Sequence, residues 1–181
     1  NIDPTITAPA AVTVNVDAGA CSTALSNVTL GTPTTGDNCS VATTTNDAPV
    51  SFPLGATTVT WTVTDGSGNT ATSTQVVTVV DNIAPVAVAQ NITVQLDANG
   101  QATITTADVD NGSSDNCTFT LSLDKTSFDC TNLGANTVTL TATDGSSNTH
   151  SVTATVTVED NIDPVAVAQN ITVQLDANGQ A

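Results

Sequence analysis

Apolar and polar residues alternate along this chain in short runs. Val12, Val14 and Val16 are separated by Thr13 and Asn15, and Ile92, Val94 and Leu96 follow the same rhythm. Val59, Trp61 and Val63 alternate with threonines, as do Val138, Leu140 and Ala142. Val77 and Val79 are matched later by Val156 and Val158. A period of two marks strands buried on one face. Between the runs lie turn formers, and Asp65-Gly66-Ser67-Gly68-Asn69 between two such runs signals a hairpin. Short strands with turn signals every 8–12 residues or so predict a β-sandwich. No long Glu-, Lys- or Leu-rich stretch argues for helix. The predicted fold class is all-β.

The pattern also recurs at long range. Val86 to Ala102 reads VAVAQNITVQLDANGQA, and Val165 to Ala181 is identical. Asp65-Gly66-Ser67-Gly68-Asn69-Thr70 returns as Asp144-Gly145-Ser146-Ser147-Asn148-Thr149, and Asp37-Asn38-Cys39 returns as Asp115-Asn116-Cys117. Self-similarity at a fixed period marks a repeat architecture. The expected units are residues 1–81, residues 82–160, and the first strand of a third repeat over 161–181. The linkers are only Asp-Asn-Ile-x-Pro, as in Asp81-Asn82-Ile83-Ala84-Pro85. Linkers this short, with a proline fixing φ, predict a linear rod. Asn1 opens directly onto a turn-like Asn-Ile-Asp-Pro, so the chain reads as a mature or internal portion of something longer.

Charge narrows the partners. The 181 residues carry 17 acidic side chains against one basic residue, for a net charge of −16. A nucleic-acid binder needs Lys and Arg to displace counterions, and Lys125 stands alone here. Anionic membrane surfaces repel such a chain, and no apolar run approaches the ~18 residues of a membrane span. Neither nucleic acid nor membrane insertion is expected.

Cys21, Cys39, Cys117 and Cys130 form no Cys-x-x-Cys pair. Sparse cysteines in a Thr-rich β protein read as disulfides and an oxidising compartment. Two fall in each repeat, so the simple pairing is Cys21–Cys39 and Cys117–Cys130. The alternatives tie neighbouring repeats together. The simple pairing places Asp-Asn-Cys at the C-terminal pole of each repeat and the Asp65–Asn69 and Asp144–Asn148 hairpins at the N-terminal pole.

These residues resemble the hyalin-repeat (HYR) family and related immunoglobulin-like repeats. The features are Asp-Asn-Cys39, Phe52-Pro53-Leu54-Gly55-Ala56-Thr57-Thr58-Val59, Thr64-Asp65-Gly66-Ser67-Gly68-Asn69-Thr70 and Val77-Thr78-Val79. The second repeat, with Leu121-Ser122-Leu123-Asp124-Lys125-Thr126-Ser127-Phe128, is similar to repeats of giant surface adhesins of gliding bacteria (SprB-like). The resemblance implies tandem immunoglobulin-like β-sandwiches that are extracellular, non-catalytic and adhesive. The chain departs from the hyalin pattern in lacking a cysteine after either Gly-Asn-type hairpin and in carrying Cys130.

Enzyme constellations are missing. His150 has no recurring Ser or Cys partner, and Ala71 takes its place in the first repeat, so it reads as a surface residue. Lys125 reads as solvent-exposed. Trp61 reads as core, because it alternates with Val59 and Val63 and becomes Leu140. The carboxylates cluster at turns and linkers, and Ca²⁺ takes several hard oxygens at close range. The pole assignment brings Asp37, Asp81 and Asn82 towards Asp144 of the next repeat as a junction calcium site. Asp115, Asp160, Asn161 and Asp163 are the set one junction on. Asp108 and Asp110, with Asp115 behind, form a second candidate. The alternative is that Asp and Asn serve only as turn formers and solubilising charge.

The leading function is therefore a structural or adhesive repeat of a long cell-surface protein. Its partners are neighbouring repeats, with surface glycans or other surface proteins beyond them. Two other readings compete: a subunit of a self-assembling extracellular filament, and a carbohydrate-binding accessory module of a secreted enzyme.

Overall fold

The computed structural model of the chain describes residues 2–181. Nearly all of its regular structure is β, in two units with separate cores.

In the first unit, β2 (Val12–Asn15), β5 (Val41–Asn46), β7 (Gly55–Asp65) and β8 (Thr70–Val80) form one sheet in the order β2-β8-β7-β5. Two ribbons face it: β1 (Thr5–Thr7) with β4 (Thr34–Gly36), and β3 (Ser22–Ala24) with β6 (Ser51–Pro53). The long hairpin β7–β8 is the spine. Its inward residues Val59, Trp61, Val63, Val77 and Val79 are buried, and Phe52 from β6 closes the core against them. Alternating apolar residues put every second side chain on that face, as the period of two requires. β2 joins the sheet parallel to β8, so the first and last strands of the sheet run side by side in the same direction.

The second unit repeats this plan. β9 (Ile92–Gln95), β11 (Phe119–Leu123), β13 (Gly134–Asp144) and β14 (Thr149–Glu159) form the sheet β11-β13-β14-β9, and β9 again pairs parallel with β14. One ribbon, β10 (Gln101–Thr103) with β12 (Ser127–Asp129), faces it. Isolated bridges Val86–Ser114 and Ala89–Asp110 replace the β1–β4 ribbon. The core comprises Leu140, Val138, Val156, Val158 and Phe128, with Val109 from a one-turn helix, α1 (Thr106–Val109). That helix breaks the all-strand expectation locally: Asp108 accepts hydrogen bonds from Thr105 N–H and Oγ1, closing a capping box.

Residues 161–181 are exposed throughout. The segment 171–174 copies β9 in sequence but forms no strand, because β9 is held only by pairing across to β14 of its own unit. The turn that follows does form. Asp176 accepts from the N–H groups of Asn178 and Gln180, as Asp97 does from Asn99 and Gln101. The turn is encoded by its own residues and the strand is not.

Two residues set apart in the sequence are tied in. His150 is exposed, and its Nδ1 accepts the Ala87 N–H at 2.9 Å, pinning the incoming segment to β14. Lys125 is half-buried rather than solvent-exposed. Its ammonium lies 4.6 Å from the Phe128 ring centroid and donates to Asn136 Oδ1. Trp61 is buried, as its alternation predicts. Among the described residues no helix is long and apolar enough to cross a membrane.

Candidate functional site at the repeat junction

β7 runs from the C-terminal pole of its repeat to the N-terminal pole, and its 11 residues span about 36 Å. Cys21 immediately precedes β3, whose Ser22 pairs with Pro53 just before β7 begins. Cys39 precedes β5, whose Val41 pairs with Asp65 where β7 ends. The two cysteines therefore sit at opposite poles and cannot meet. The pairing Cys21–Cys39 is corrected on this ground, and Cys117–Cys130 fails for the same reason. The bond that forms is Cys21–Cys117, with a Cα–Cα distance of 4.9 Å, and Cys39 and Cys130 are free. It joins the C-terminal pole of the first repeat to the N-terminal pole of the second.

The pole assignment is corrected with it. Asp-Asn-Cys lies at the N-terminal pole, beside the hairpin that the sequence reading set apart from it. Asp37, Asn38 and Cys39 share a cleft of about 290 Å³ with Asp65, Gly66 and Ser67. In the second repeat Asp115-Asn116-Cys117 lies next to the Asp144–Asn148 turn, and Phe119 pairs with Asp144.

Around the disulfide, two asparagines of the second repeat grip the first repeat and the linker. Asn116 Nδ2 donates to the Ala20 carbonyl at 3.1 Å and to Asp81 Oδ2 at 3.3 Å. Asn148 Nδ2 donates to the carbonyls of Asp81 at 3.1 Å and Ile83 at 3.4 Å. Asn148 is itself held by Asp144, which accepts from its side chain at 2.7 Å and its backbone N–H at 2.8 Å. Burial raises the pKa of the Asp144 carboxyl, but hydrogen bonds from Asn148, Ser146 and Ser147 outweigh it and hold the group below the usual carboxylate range. In Asp65 of the first repeat the Asn69 side chain leads the same lowering. Both turns hold an ionised carboxylate at neutral pH.

Asp81 is 6 % exposed. Its Oδ1 accepts from Ile83 N–H, and its Oδ2 has only the long contact from Asn116. Asp115 Oδ2 accepts from Cys117 N–H, but Asp115 Oδ1 and Asn116 Oδ1 are buried with no partner. Carboxylate oxygens of Asp81 and Asp115 lie within 4.8 Å of each other and of the Cys117 sulfur. That sulfur belongs to the disulfide and offers no thiolate. Two carboxylates this close together in a protein of this charge fit a hard cation by donor type. Unpaired buried oxygens are costly without one.

Of the residues anticipated for calcium, Asp81 and Asp115 meet here, whereas the Asp144 carboxylate is taken up by Ser146 and Asn148 of its own turn. Asp37 is at the far pole of its repeat, where its Oδ1 is likewise buried and unpartnered. Asn82 turns away to Asn15. Asp160 accepts from Ile162 N–H, Asn161 donates to Gln95 and Glu159, and Asp163 is exposed, all at the distal pole of the second repeat. Asp108 caps α1, and Asp110 accepts from the Ser113 hydroxyl and N–H. Both are occupied by their own loop. Asn116 and Asn148 went unnoticed as junction residues, although their recurrence from Asn38 and Asn69 was a visible signal.

Residues 2–79 match the family model described as HYR domain. No curated protein matches the chain. Solved structures similar to it include human mucin-like protocadherin EC1-2, at 13 % identity and TM-score 0.46, with 87 % of this chain and 98 % of that one covered. Drosophila N-cadherin EC1-4 follows at 12 % and 0.39, covering 87 % and 50 %. Protocadherin gamma B7 cadherin domains 1-4 align at 14 % and 0.38, over 88 % of this chain; the chain spans about half the length of that structure, 51 %. HYR domains are immunoglobulin-like, non-catalytic repeats of extracellular adhesion proteins. With its Asp-Asn-Cys turn, Gly-Asn hairpin and paired terminal strands accounted for, the first repeat is similar to the HYR domain over residues 2–79.

Proposed function

We propose that this chain is a stretch of a stiff, non-catalytic stalk on a long extracellular cell-surface protein, in which stacked repeats carry an adhesive region away from the surface. The observation that supports this most is the junction, where a disulfide and two asparagine clamps fix one repeat on the next. A bead on a flexible string needs neither. The domain division is that of the sequence: one repeat up to Asp81, a second over 82–160, and the opening of a third over 161–181. The finer reading, an adhesin of the kind found on gliding bacteria that meets surface glycans or other surface proteins, rests on the sequence resemblance. Small-angle X-ray scattering of the oxidised chain is expected to give an elongated particle about two repeats long and one repeat wide. A profile of two repeats folded side by side would rule the stalk out.

Calcium belongs to the same reading. Asp81 and Asp115 would hold the ion, and the charge it supplies would offset the two converging carboxylates. Binding only the folded state at a hundredfold excess over Kd stabilises by about 2.7 kcal/mol. The melting midpoint is expected to rise by several degrees in calcium over chelator, and the rise should vanish in Asp115→Asn. Identical melts in both buffers would remove calcium and leave the stalk standing.

A further inference from the structure

The two free cysteines occupy opposite ends of the stacked pair. Cys39, at the N-terminal pole of the first repeat, stands as Cys117 does in the second. Asp37 Oδ2 accepts the Cys39 N–H at 2.8 Å, as Asp115 Oδ2 accepts that of Cys117 at 3.0 Å. Asn38 Nδ2 reaches Cys39 Sγ at 3.7 Å, as Asn116 Nδ2 reaches Cys117 Sγ at 3.4 Å. The orphaned oxygen recurs as well, on Asp37 and on Asp115. Cys39 therefore sits in a complete copy of a socket that, one repeat further on, holds the C-terminal pole of a neighbour.

Cys130 matches the other half by a different route. The second repeat has no cysteine where the first has Cys21; its shorter turn reads Asp97-Ala98-Asn99-Gly100-Gln101. It carries instead a three-residue 3₁₀ turn, Cys130–Asn132, between β12 and β13, absent from the first repeat. Ser22 pairs with Pro53 at the end of the β3–β6 ribbon, and Gln101 pairs with Asp129 at the end of β10–β12. One step beyond those last pairs lie Cys21 on one strand of the first ribbon and Cys130 on the opposite strand of the second. A Cβ on Gly100 would lie 2.7 Å from Cys130 Sγ, so the two positions share one place. The cysteine has crossed the ribbon and kept its pole. Both Cys39 and Cys130 are exposed.

We infer that Cys39 and Cys130 are the two unjoined halves of the staple formed by Cys21–Cys117, and that each bonds a further repeat of this type docked on its pole. The inference rests on the stalk reading and adds a covalent link at every junction. Two thiols lose two protons and two electrons to a disulfide oxidant such as glutathione disulfide. One thiolate first forms a mixed disulfide, the second displaces glutathione, and two glutathione thiols leave.

The test uses the chain itself, with a second copy supplying the docked repeat. Incubation in a glutathione redox buffer should yield a ladder of end-linked chains on a non-reducing gel. Peptide mapping should show Cys39–Cys130 links exceeding Cys39–Cys39 and Cys130–Cys130 links by about tenfold, because docked poles raise the effective concentration of one pairing. Cys39→Ser and Cys130→Ser should each abolish the ladder with the melting midpoint unchanged. In a chain lengthened by further repeats the bond should close within the molecule, independent of concentration. A statistical mixture of like and unlike links, or monomers that end as glutathione adducts, would overturn the inference. Scattering judges the stalk separately, so an elongated particle with random links sinks this inference alone.

Discussion

Replacing Cys117 with serine is expected to lower the melting midpoint of the second repeat by about 10 °C or more and to loosen the junction. The bond closes a loop across 96 residues. If the first repeat stays folded while the second opens, the constrained segment shrinks to roughly 36 residues between Asp81 and Cys117, which chain entropy values at about 3–4 kcal/mol. For a unit near 80 residues, each kcal/mol moves the midpoint by about 4–8 °C. Cys21→Ser should do the same, and the double variant should match either single, since both remove one bond. Calorimetry and scattering on the oxidised proteins are the measurements. An unchanged midpoint together with an unchanged scattering profile would mean that the asparagine clamps alone set the junction.

Gln75→Ala should be more damaging still to the first repeat, by about 3–5 kcal/mol. Gln75 is 1 % exposed in the middle of β8. Its amide donates to the Ala10 carbonyl at 2.7 Å and the Leu30 carbonyl at 2.8 Å, and its oxygen accepts the Trp61 indole N–H at 3.0 Å. Truncation strands the buried indole N–H and two part-buried carbonyls, each costing about 1–3 kcal/mol where water cannot replace the lost partner, and leaves a cavity. The second repeat solves the same problem differently. Leu140 and Ala154 stand where Trp61 and Gln75 do, and the segments at Ala89 and Val109 pair backbone to backbone, with Gln90 N–H donating to the Val109 carbonyl. Adding Trp61→Leu to Gln75→Ala should therefore recover only the indole's share, because the Ala10 and Leu30 carbonyls stay unpaired. Trp61 is the sole tryptophan, so its fluorescence follows this repeat alone. A Gln75→Ala midpoint within a degree or two of the parent would contradict this account.

The sandwich was legible because it is written in local signals. Val59, Trp61 and Val63 alternate and are buried; Asp65 to Asn69 carries a turn and makes one. The cysteine pairing was not legible. Sequence spacing favours the shorter loop, and only the direction of an 11-residue strand reveals that Cys21 and Cys39 lie a strand length apart. One misplaced bond then inverted the poles, and so Asp37 was matched with Asp81 where Asp115 belongs. The carboxylates themselves were found because turns attract aspartate; which of them converge depends on docking between repeats, for which a single repeat holds no local signal. The helix α1 was missed because one turn is too short to show a period, although Thr105 and Asp108 spell its capping box.

The Cys21–Cys117 bond also changes how the molecule carries a pulling force. Tension entering at one end crosses the bridge and bypasses everything between, so the 96-residue span cannot be drawn out even if both cores rupture. At roughly 3.4 Å per extended residue, about 320 Å of slack is withheld. A tether built this way pays out only the residues outside the bridge, where an unbridged one would pay out the whole chain and soften further.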